Sequence, residues 1–277
     1  MMTDGLGWLT LALLVTWASP VVAQPASTVA FAAHRGGALL WPENSLLAFG
    51  NAVTLGADYL ELDVHVSRDG ALVVIHDPTL ERTTTGTGPV RERTRAELKA
   101  LRLKDRDGRV TGERIPTLEE VVAIAAAGQR QLLVEIKVDD RRQRYPGIEE
   151  QVLAILDRHG MAASTIIMAF EAETWRRVRQ LRPDVRAGAL FSPRLLERQG
   201  STLSAELDRA REAGVAFVGL HQALVGPDTV AAARKAGVLL GVWTVNERDA
   251  IRRFIAENVG VVITDRPDLA KELLERR

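Results

Sequence analysis

The 277-residue sequence contains no cysteine and carries no net charge, because 36 basic residues balance 36 acidic ones. The lack of cysteine excludes disulfides, zinc–thiolate sites, iron–sulfur clusters and cysteine nucleophiles. The lack of a charge excess argues against nucleic-acid binding over a broad surface, so we expect no nucleic-acid partner. Gly-x-Ser-x-Gly, Walker and His-Glu-x-x-His motifs are also absent, which disfavours the hydrolase and nucleotide chemistries that depend on them.

Long apolar runs are also scarce, and the single candidate lies between residues 6 and 22. Val21-Val22-Ala23 fits a cleavage site of small residues, so we interpret residues 1–23 as a signal peptide of a periplasmic or secreted protein. Met1–Gly5 contains no Lys or Arg, which leaves an uncleaved membrane anchor as the alternative. After cleavage we expect no stable membrane span, and residues 24–277 form the folded domain.

Short apolar runs alternate with amphipathic stretches along the rest of the chain. Eight β-then-α units predict parallel strands joined by crossover helices, as in an α/β protein. A closed (β/α)8 TIM barrel is favoured over an open sheet, because the units number eight and no Gly-x-Gly-x-x-Gly turn follows the first strand. The predicted strands are Ala30–Ala33, Tyr59–Val66, Leu132–Val138, Ile166–Phe170, Ala187–Phe191, Phe217–Leu220, Leu239–Val245 and Val261–Thr264.

One segment interrupts the alternation after the second predicted strand. Asp69-Gly70 predicts a tight turn, and Leu72–His76 predicts a returning hairpin strand. Residues 77–116 are long, polar and irregular, with an excess of basic residues over 91–114. We interpret residues 67–116 as a small insertion whose charged stretch is a solvated surface. The alternative is a lid that attracts an anionic ligand, since insertions on this side of a barrel build active sites.

The second predicted strand carries acidic residues on one face. Glu61 and Asp63 share that face because side chains alternate along a strand, and Glu135 with Lys137 repeats the pattern on the next strand. Converging carboxylates repel each other and need a cation. Oxygen ligands without a thiolate suit Ca²⁺ or Mg²⁺ better than Zn²⁺. The alternative is a structural network in which Lys137 and Arg35 are the counter-ions.

Histidines stand at the ends of two predicted strands near the same barrel mouth. His34 and Arg35 end the first strand, and His76 ends the hairpin return. Two imidazoles in such positions suit acid–base catalysis. Arg35 and Lys137 nearby suit a phosphate group. His65 shares the acidic face, and we interpret it as an inward packing residue with satisfied polar atoms.

At these positions the chain resembles the glycerophosphodiester phosphodiesterase family. Matching segments run in order over almost the whole of residues 24–277. Residues 91–115 and the segment between the fifth and sixth predicted strands match poorly and leave the headgroup preference open. The segments include His34-Arg35-Gly36-Gly37, Pro42-Glu43-Asn44-Ser45, Glu61-Leu62-Asp63-Val64, Val74-Ile75-His76-Asp77, Glu135-Ile136-Lys137, Trp243-Thr244-Val245-Asn246 and Thr264-Asp265-Arg266-Pro267.

The resemblance implies a barrel hydrolase that splits small-molecule glycerophosphodiesters into sn-glycerol 3-phosphate and an alcohol. It also implies one divalent cation, Ca²⁺ or Mg²⁺. A related enzyme of the lysophospholipase D kind, which releases a cyclic phosphate, is the alternative, and no protein partner is indicated. The implied roles are acid–base catalysis for His34 and His76, metal ligation for Glu61, Asp63 and Glu135, phosphate contact for Arg35 and Lys137, contact with the metal shell or His34 for Glu43, and a pocket wall for Trp243.

Overall fold

Eight parallel strands close into a barrel in the computed structural model, which describes residues 29–276. Neighbouring strands follow the chain order, and pairing of the first strand with both the second and the last closes the ring. The predicted (β/α)8 TIM barrel is confirmed. The predicted signal peptide, residues 1–23, lies outside the described residues. Those eight strands are β1 (Ala30–Ala33), β2 (Tyr59–Val66), β4 (Gln131–Ile136), β5 (Thr165–Ala169), β6 (Arg186–Phe191), β7 (Phe217–His221), β8 (Leu239–Trp243) and β9 (Val261–Thr264). A ninth strand, β3 (Leu72–Val74), pairs antiparallel with β2 and is not part of the ring.

Helices join the strands around the outside of the barrel. Several begin at a hydroxyl side chain that accepts a hydrogen bond from a first-turn N–H group, as at Ser45, Thr117 and Thr202. Within residues 29–276 no helix has the length and apolar character needed to cross a bilayer. The helices are α1 (Leu46–Leu55), α2 (Arg95–Ala100), α3 (Leu118–Ala127), α4 (Ile148–Arg158), α5 (Ala172–Leu181), α6 (Pro193–Gln199), α7 (Leu203–Glu212), α8 (Pro227–Lys235), α9 (Arg248–Ala256) and α10 (Pro267–Glu275).

A large aromatic side chain on one strand occupies part of the barrel interior. Phe217 on β7 is fully buried, and glycines stand opposite its ring on the two neighbouring strands. A Cβ atom on Gly241 would lie 2.4 Å from the Phe217 ring, and one on Gly188 would lie 2.9 Å from it. These glycines therefore leave the space that the phenylalanine occupies.

We expect Phe217→Ala to lower the free energy of unfolding by about 3–5 kcal/mol, because the glycines around the ring cannot fill the resulting cavity. Urea denaturation followed by circular dichroism would measure the change. Leu47→Ala is the control, since that side chain is 46% exposed and should change stability by less than about 0.5 kcal/mol. Equal losses for the two variants would contradict this account of the interior.

The segment over residues 67–116 folds around an apolar cluster of its own. β3 pairs antiparallel with β2, which confirms the predicted hairpin. The expectation of an irregular chain over residues 77–116 is wrong in part, because α2 and a 3₁₀ turn at Val90–Glu92 lie there. The charged residues of this segment accompany a small apolar core. That core consists of Val73, Ile75, Leu80, Val90, Leu98, Leu103 and Ile115.

Candidate active site

Three carboxylates meet on the adjacent strands β2 and β4, just beyond the level at which β1 ends. The strand register places Asp63 directly beside Glu135, and Glu61 precedes Asp63 by two residues on the same face of β2. One oxygen from each side chain lies within 4.8 Å of the other two, and all three side chains are buried. The structure thus brings together the acidic residues that the alternation of β2 and β4 placed on one face.

Cationic and amide groups compensate part of this negative charge. Lys137 Nζ lies 2.5 Å from Glu135 Oε1 and 2.9 Å from Asp63 Oδ1. Arg35 Nε lies 3.5 Å from Asp63 Oδ2, and Asn44 Nδ2 donates a hydrogen bond of 2.9 Å to the same oxygen. Burial alone would raise the pKa of Asp63, but the charges of Lys137 and Arg35 help to hold it well below its usual range. Asp63 is therefore ionised and well paired.

Glu61 has much less compensation. Its Oε2 accepts the backbone N–H of Arg35 at 2.8 Å, and His34 Nε2 lies 3.9 Å away. Burial and the charges of Asp63 and Glu135 raise the pKa of Glu61 to about 7. A buried set of oxygen donors that lacks positive charge at one member fits a divalent cation. The cluster therefore could hold a metal ion.

An aspartate orients each of the two histidines. His34 Nδ1 lies 2.6 Å from Asp265 Oδ1, and His76 Nδ1 lies 2.6 Å from Asp77 Oδ1. Among the described residues, neither Nε2 atom has a hydrogen-bond partner. Burial opposes protonation of His34, but the charge of Glu61 and the contact with Asp265 raise its pKa. A carboxylate at Nδ1 fixes the ring and its tautomer, which leaves Nε2 of each ring to exchange a proton.

Glu43 contacts arginines. It accepts two hydrogen bonds from Arg82, of 2.8 and 2.9 Å, and one of 3.3 Å from Arg35. Arg82 in turn donates to Asp77, the partner of His76, with Nε 2.6 Å from Asp77 Oδ2. Over residues 29–276 no hydrogen bond joins Glu43 to His34. Glu43 thus supports the site through its arginine partners.

His65 is fully buried beneath the loop that carries His76. Its Nδ1 lies 2.9 Å from the Tyr145 hydroxyl, and its Nε2 lies 3.1 Å from the carbonyl oxygen of His76. Burial lowers the pKa of His65 to about 4, so the ring is neutral at pH 7. The Nε2–H group donates to the carbonyl, and the tyrosine hydroxyl donates to Nδ1. This agrees with the interpretation of His65 as a satisfied inward residue, and it anchors the backbone of His76.

Two cavities open at this end of the barrel. The first, the inner cavity, has a volume of about 100 Å³ and is bordered by both histidines, Arg35, Lys137 and Trp243. Trp243 forms its apolar wall and meets the ring of Phe170 edge-on at 5.6 Å. The second, the outer cavity, has a volume of about 500 Å³ and lies between the chain segments that follow β4, β5 and β6. His76, Glu135, Lys137 and Phe170 border both cavities.

Comparisons with known proteins place these observations in one family. Residues 34–269 match the model of the glycerophosphoryl diester phosphodiesterase family. A glycerophosphodiester phosphodiesterase from Caldanaerobacter subterraneus subsp. tengcongensis is 36% identical over 247 residues, which cover 88% of this chain and 97% of that protein.

Solved structures agree with this relationship. A glycerophosphodiester phosphodiesterase from Agrobacterium tumefaciens is 28% identical and superposes with a TM-score of 0.72 over 88% of this chain and 99% of its own. A phosphodiesterase from Oleispira antarctica, solved with the product sn-glycerol-3-phosphate, is 25% identical and gives a TM-score of 0.76 over 89% of this chain and 96% of its own. The similarity therefore extends over the whole barrel.

Proposed function

This chain belongs to the glycerophosphoryl diester phosphodiesterase family and is a phosphoric diester hydrolase, and we propose that it converts glycerophosphodiesters to sn-glycerol 3-phosphate and an alcohol by two-histidine catalysis. One observation carries the proposal: two aspartate-held histidines, two carboxylates of the acidic cluster and two cationic side chains border a single small cavity. The product bound to the Oleispira antarctica phosphodiesterase supports the proposed product.

Glu61, Asp63 and Glu135 are the residues that would hold one divalent cation, Ca²⁺ or Mg²⁺. Their buried oxygen atoms and the raised pKa of Glu61 support this assignment. Such an ion neutralises charge on phosphoryl oxygens when it is bound.

Arg35 and Lys137 would contact the phosphate group. A phosphodiester is an anion that repels an attacking oxygen, so its charge has to be offset before bond formation. Arg35 offers a planar fork of donors, and Lys137 offers a compact ammonium group. Burial opposes the charge on Lys137, but Asp63 and Glu135 raise its pKa above the usual value, so it remains an ammonium ion.

The cavities suggest which histidine acts at which oxygen. His34 borders the inner cavity, where the glycerol moiety would lie against the wall formed by Trp243. There, His34 Nε2 would take a proton from the attacking oxygen, which belongs to water or to a neighbouring hydroxyl of the substrate. His76 borders both cavities, so its Nε2–H would protonate the leaving alkoxide as the alcohol departs through the outer cavity.

The products of a glycerophosphodiester test this proposal. We expect the purified protein with added Ca²⁺ or Mg²⁺ to release sn-glycerol 3-phosphate from sn-glycero-3-phosphoethanolamine, as measured by an assay coupled to glycerol-3-phosphate dehydrogenase. Phosphorus NMR of the same reaction would identify the final phosphorus species. A cyclic phosphate as the end product, together with preference for lysophospholipids, would instead support the lysophospholipase D-like alternative. No turnover of any glycerophosphodiester would overturn the proposal.

A further inference from the structure

The outer cavity adjoins the site at the position where the leaving alcohol would depart. It is about five times larger than the inner cavity, with about 500 Å³ against about 100 Å³, and His76 stands at the junction. Residues that border only the outer cavity would contact the alcohol portion of a substrate. The charges on these residues therefore bear on the choice of substrate.

Three guanidinium groups without partners border this cavity. Arg142 follows β4, whereas Arg194 and Arg198 lie on α6, and all three side chains are exposed. Within the described part of the chain, none of the three forms an ion pair or a hydrogen bond through its side chain. Guanidinium groups offer paired donors that match the oxygens of a carboxylate or a phosphate.

Two acidic residues on the same wall share one arginine. Arg91 Nε lies 2.5 Å from Asp140 Oδ1 and 3.6 Å from Asp139 Oδ2. Asp139 Oδ1 also accepts backbone N–H groups from Arg141 and Gln143, at 2.9 and 2.8 Å. One guanidinium group thus serves two carboxylates, so this wall keeps one net negative charge, which backbone N–H groups partly stabilise.

Glu171 is the remaining carboxylate that borders the outer cavity without an ion pair among residues 29–276. It is half-buried, and its charge interacts with those of Glu135, Lys137 and Arg198. Glu135 and Lys137 pair with each other, at 2.5 Å, so their charges cancel. Three unpaired guanidinium groups thus face Glu171 and the one uncompensated charge of Asp139 and Asp140, which still leaves the outer cavity with an excess of positive charge.

We propose that the outer cavity is an anion-binding subsite for the leaving group, so that the preferred substrates carry a carboxylate or a second phosphate on the alcohol. This inference rests on the proposed function, because it assigns the alcohol to the outer cavity. Arg142, after β4, and Arg194 and Arg198, on α6, would make the contacts that carry the preference.

Two matched pairs of substrates test the subsite. sn-Glycero-3-phosphoserine differs from sn-glycero-3-phosphoethanolamine by one carboxylate, and glycerophosphoinositol 4-phosphate differs from glycerophosphoinositol by one phosphate. We expect kcat/KM to favour the anionic member of a pair by about fivefold, because an exposed ion pair contributes only modestly. The triple variant Arg142→Gln/Arg194→Gln/Arg198→Gln should bring that ratio to about one. Arg95→Gln is the matched control, since this exposed arginine borders a different cavity and should leave the ratio unchanged.

The outcomes separate the subsite from the proposed function. A preference in the serine pair alone would identify a carboxylate as the ligand, and one in the inositol pair alone would identify a phosphate; either supports the subsite. Turnover with equal kcat/KM within both pairs, or a preference that the triple variant retains, would overturn the subsite while the proposed function stands. Failure to hydrolyse any of the four compounds would overturn the proposed function and the subsite with it.

Discussion

Alanine in place of either His34 or His76 is expected to lower kcat for glycerophosphodiester hydrolysis by about 10²- to 10⁴-fold, the range that a single general acid or base contributes. Each substitution removes one Nε2 atom from the inner cavity, so one of the two proton transfers loses its general base or general acid. The measurement is kcat with sn-glycero-3-phosphoethanolamine at saturating substrate. Thermal unfolding of each variant would show that the barrel is retained.

The two histidines should act as a unit. If His34 accepts a proton at the attacking oxygen while His76 delivers one to the leaving oxygen, loss of either disables the same transition state. The double variant is therefore expected to be about as slow as the slower single variant, since the effects of groups that act together do not add.

His159→Ala is the matched control for both substitutions. His159 caps the C-terminal end of α4, and its Nε2 lies 3.5 Å from Glu119 Oε1 on the outside of the barrel. This variant should keep full activity. Near-full activity of His34→Ala or His76→Ala would contradict the assignment of that histidine.

Much of the barrel and the centre of the site follow from local patterns. The alternation of side chains along β2 puts Glu61 and Asp63 on one face and Leu62 on the other, as it does in any strand. Parallel strands also bring their carboxyl ends to one edge, so Glu135 on β4 could be placed beside them before the register was known. The exact pairing of Asp63 with Glu135 depends on the strand register, which adjacency alone does not fix.

Contacts that depend on closure of the barrel could not be predicted in this way. Asp265 is 231 positions from His34 in the sequence, and they meet because β9 pairs with β1. Asn44 donates to Asp63 from a loop, and its own backbone is left-handed, with φ of 56°. No periodicity in the sequence reveals such a conformation. Both residues stand in segments that resemble the family, so only that resemblance could have pointed to them.

Side-chain reach explains why the position of Glu43 was harder to predict. The family resemblance implied contact with the metal shell or His34, whereas Arg82, 39 positions away in the sequence, binds both carboxylate oxygens of Glu43. The small core of residues 67–116 could not be predicted from a local pattern either. Its buried apolar residues are spaced irregularly, without the period of a helix or a strand.

Removal of divalent cations is expected to abolish activity, and added Ca²⁺ or Mg²⁺ is expected to restore it. We expect this dependence because the negative charge of Glu61 is not compensated. Lys137 and Arg35 pair with Asp63 and Glu135 but not with Glu61, whose pKa is raised to about 7. A cation at this position would offset that charge. Activity after exhaustive dialysis against EDTA, and after addition of each metal, gives the first measurement.

Binding to the folded protein gives a second measurement that does not depend on turnover. An ion present at about 100 times its dissociation constant stabilises a protein by about 2.7 kcal/mol, so the melting temperature of the dialysed protein should rise when the metal is added. Glu61→Gln should reduce this rise, since the amide oxygen can still accept the Arg35 N–H but carries no charge. Glu119→Gln, at an exposed residue paired with Arg158, should leave the rise unchanged. Full activity and an unchanged melting temperature after chelation would show instead that Lys137 and Arg35 are sufficient counter-ions and that the cluster is a structural network.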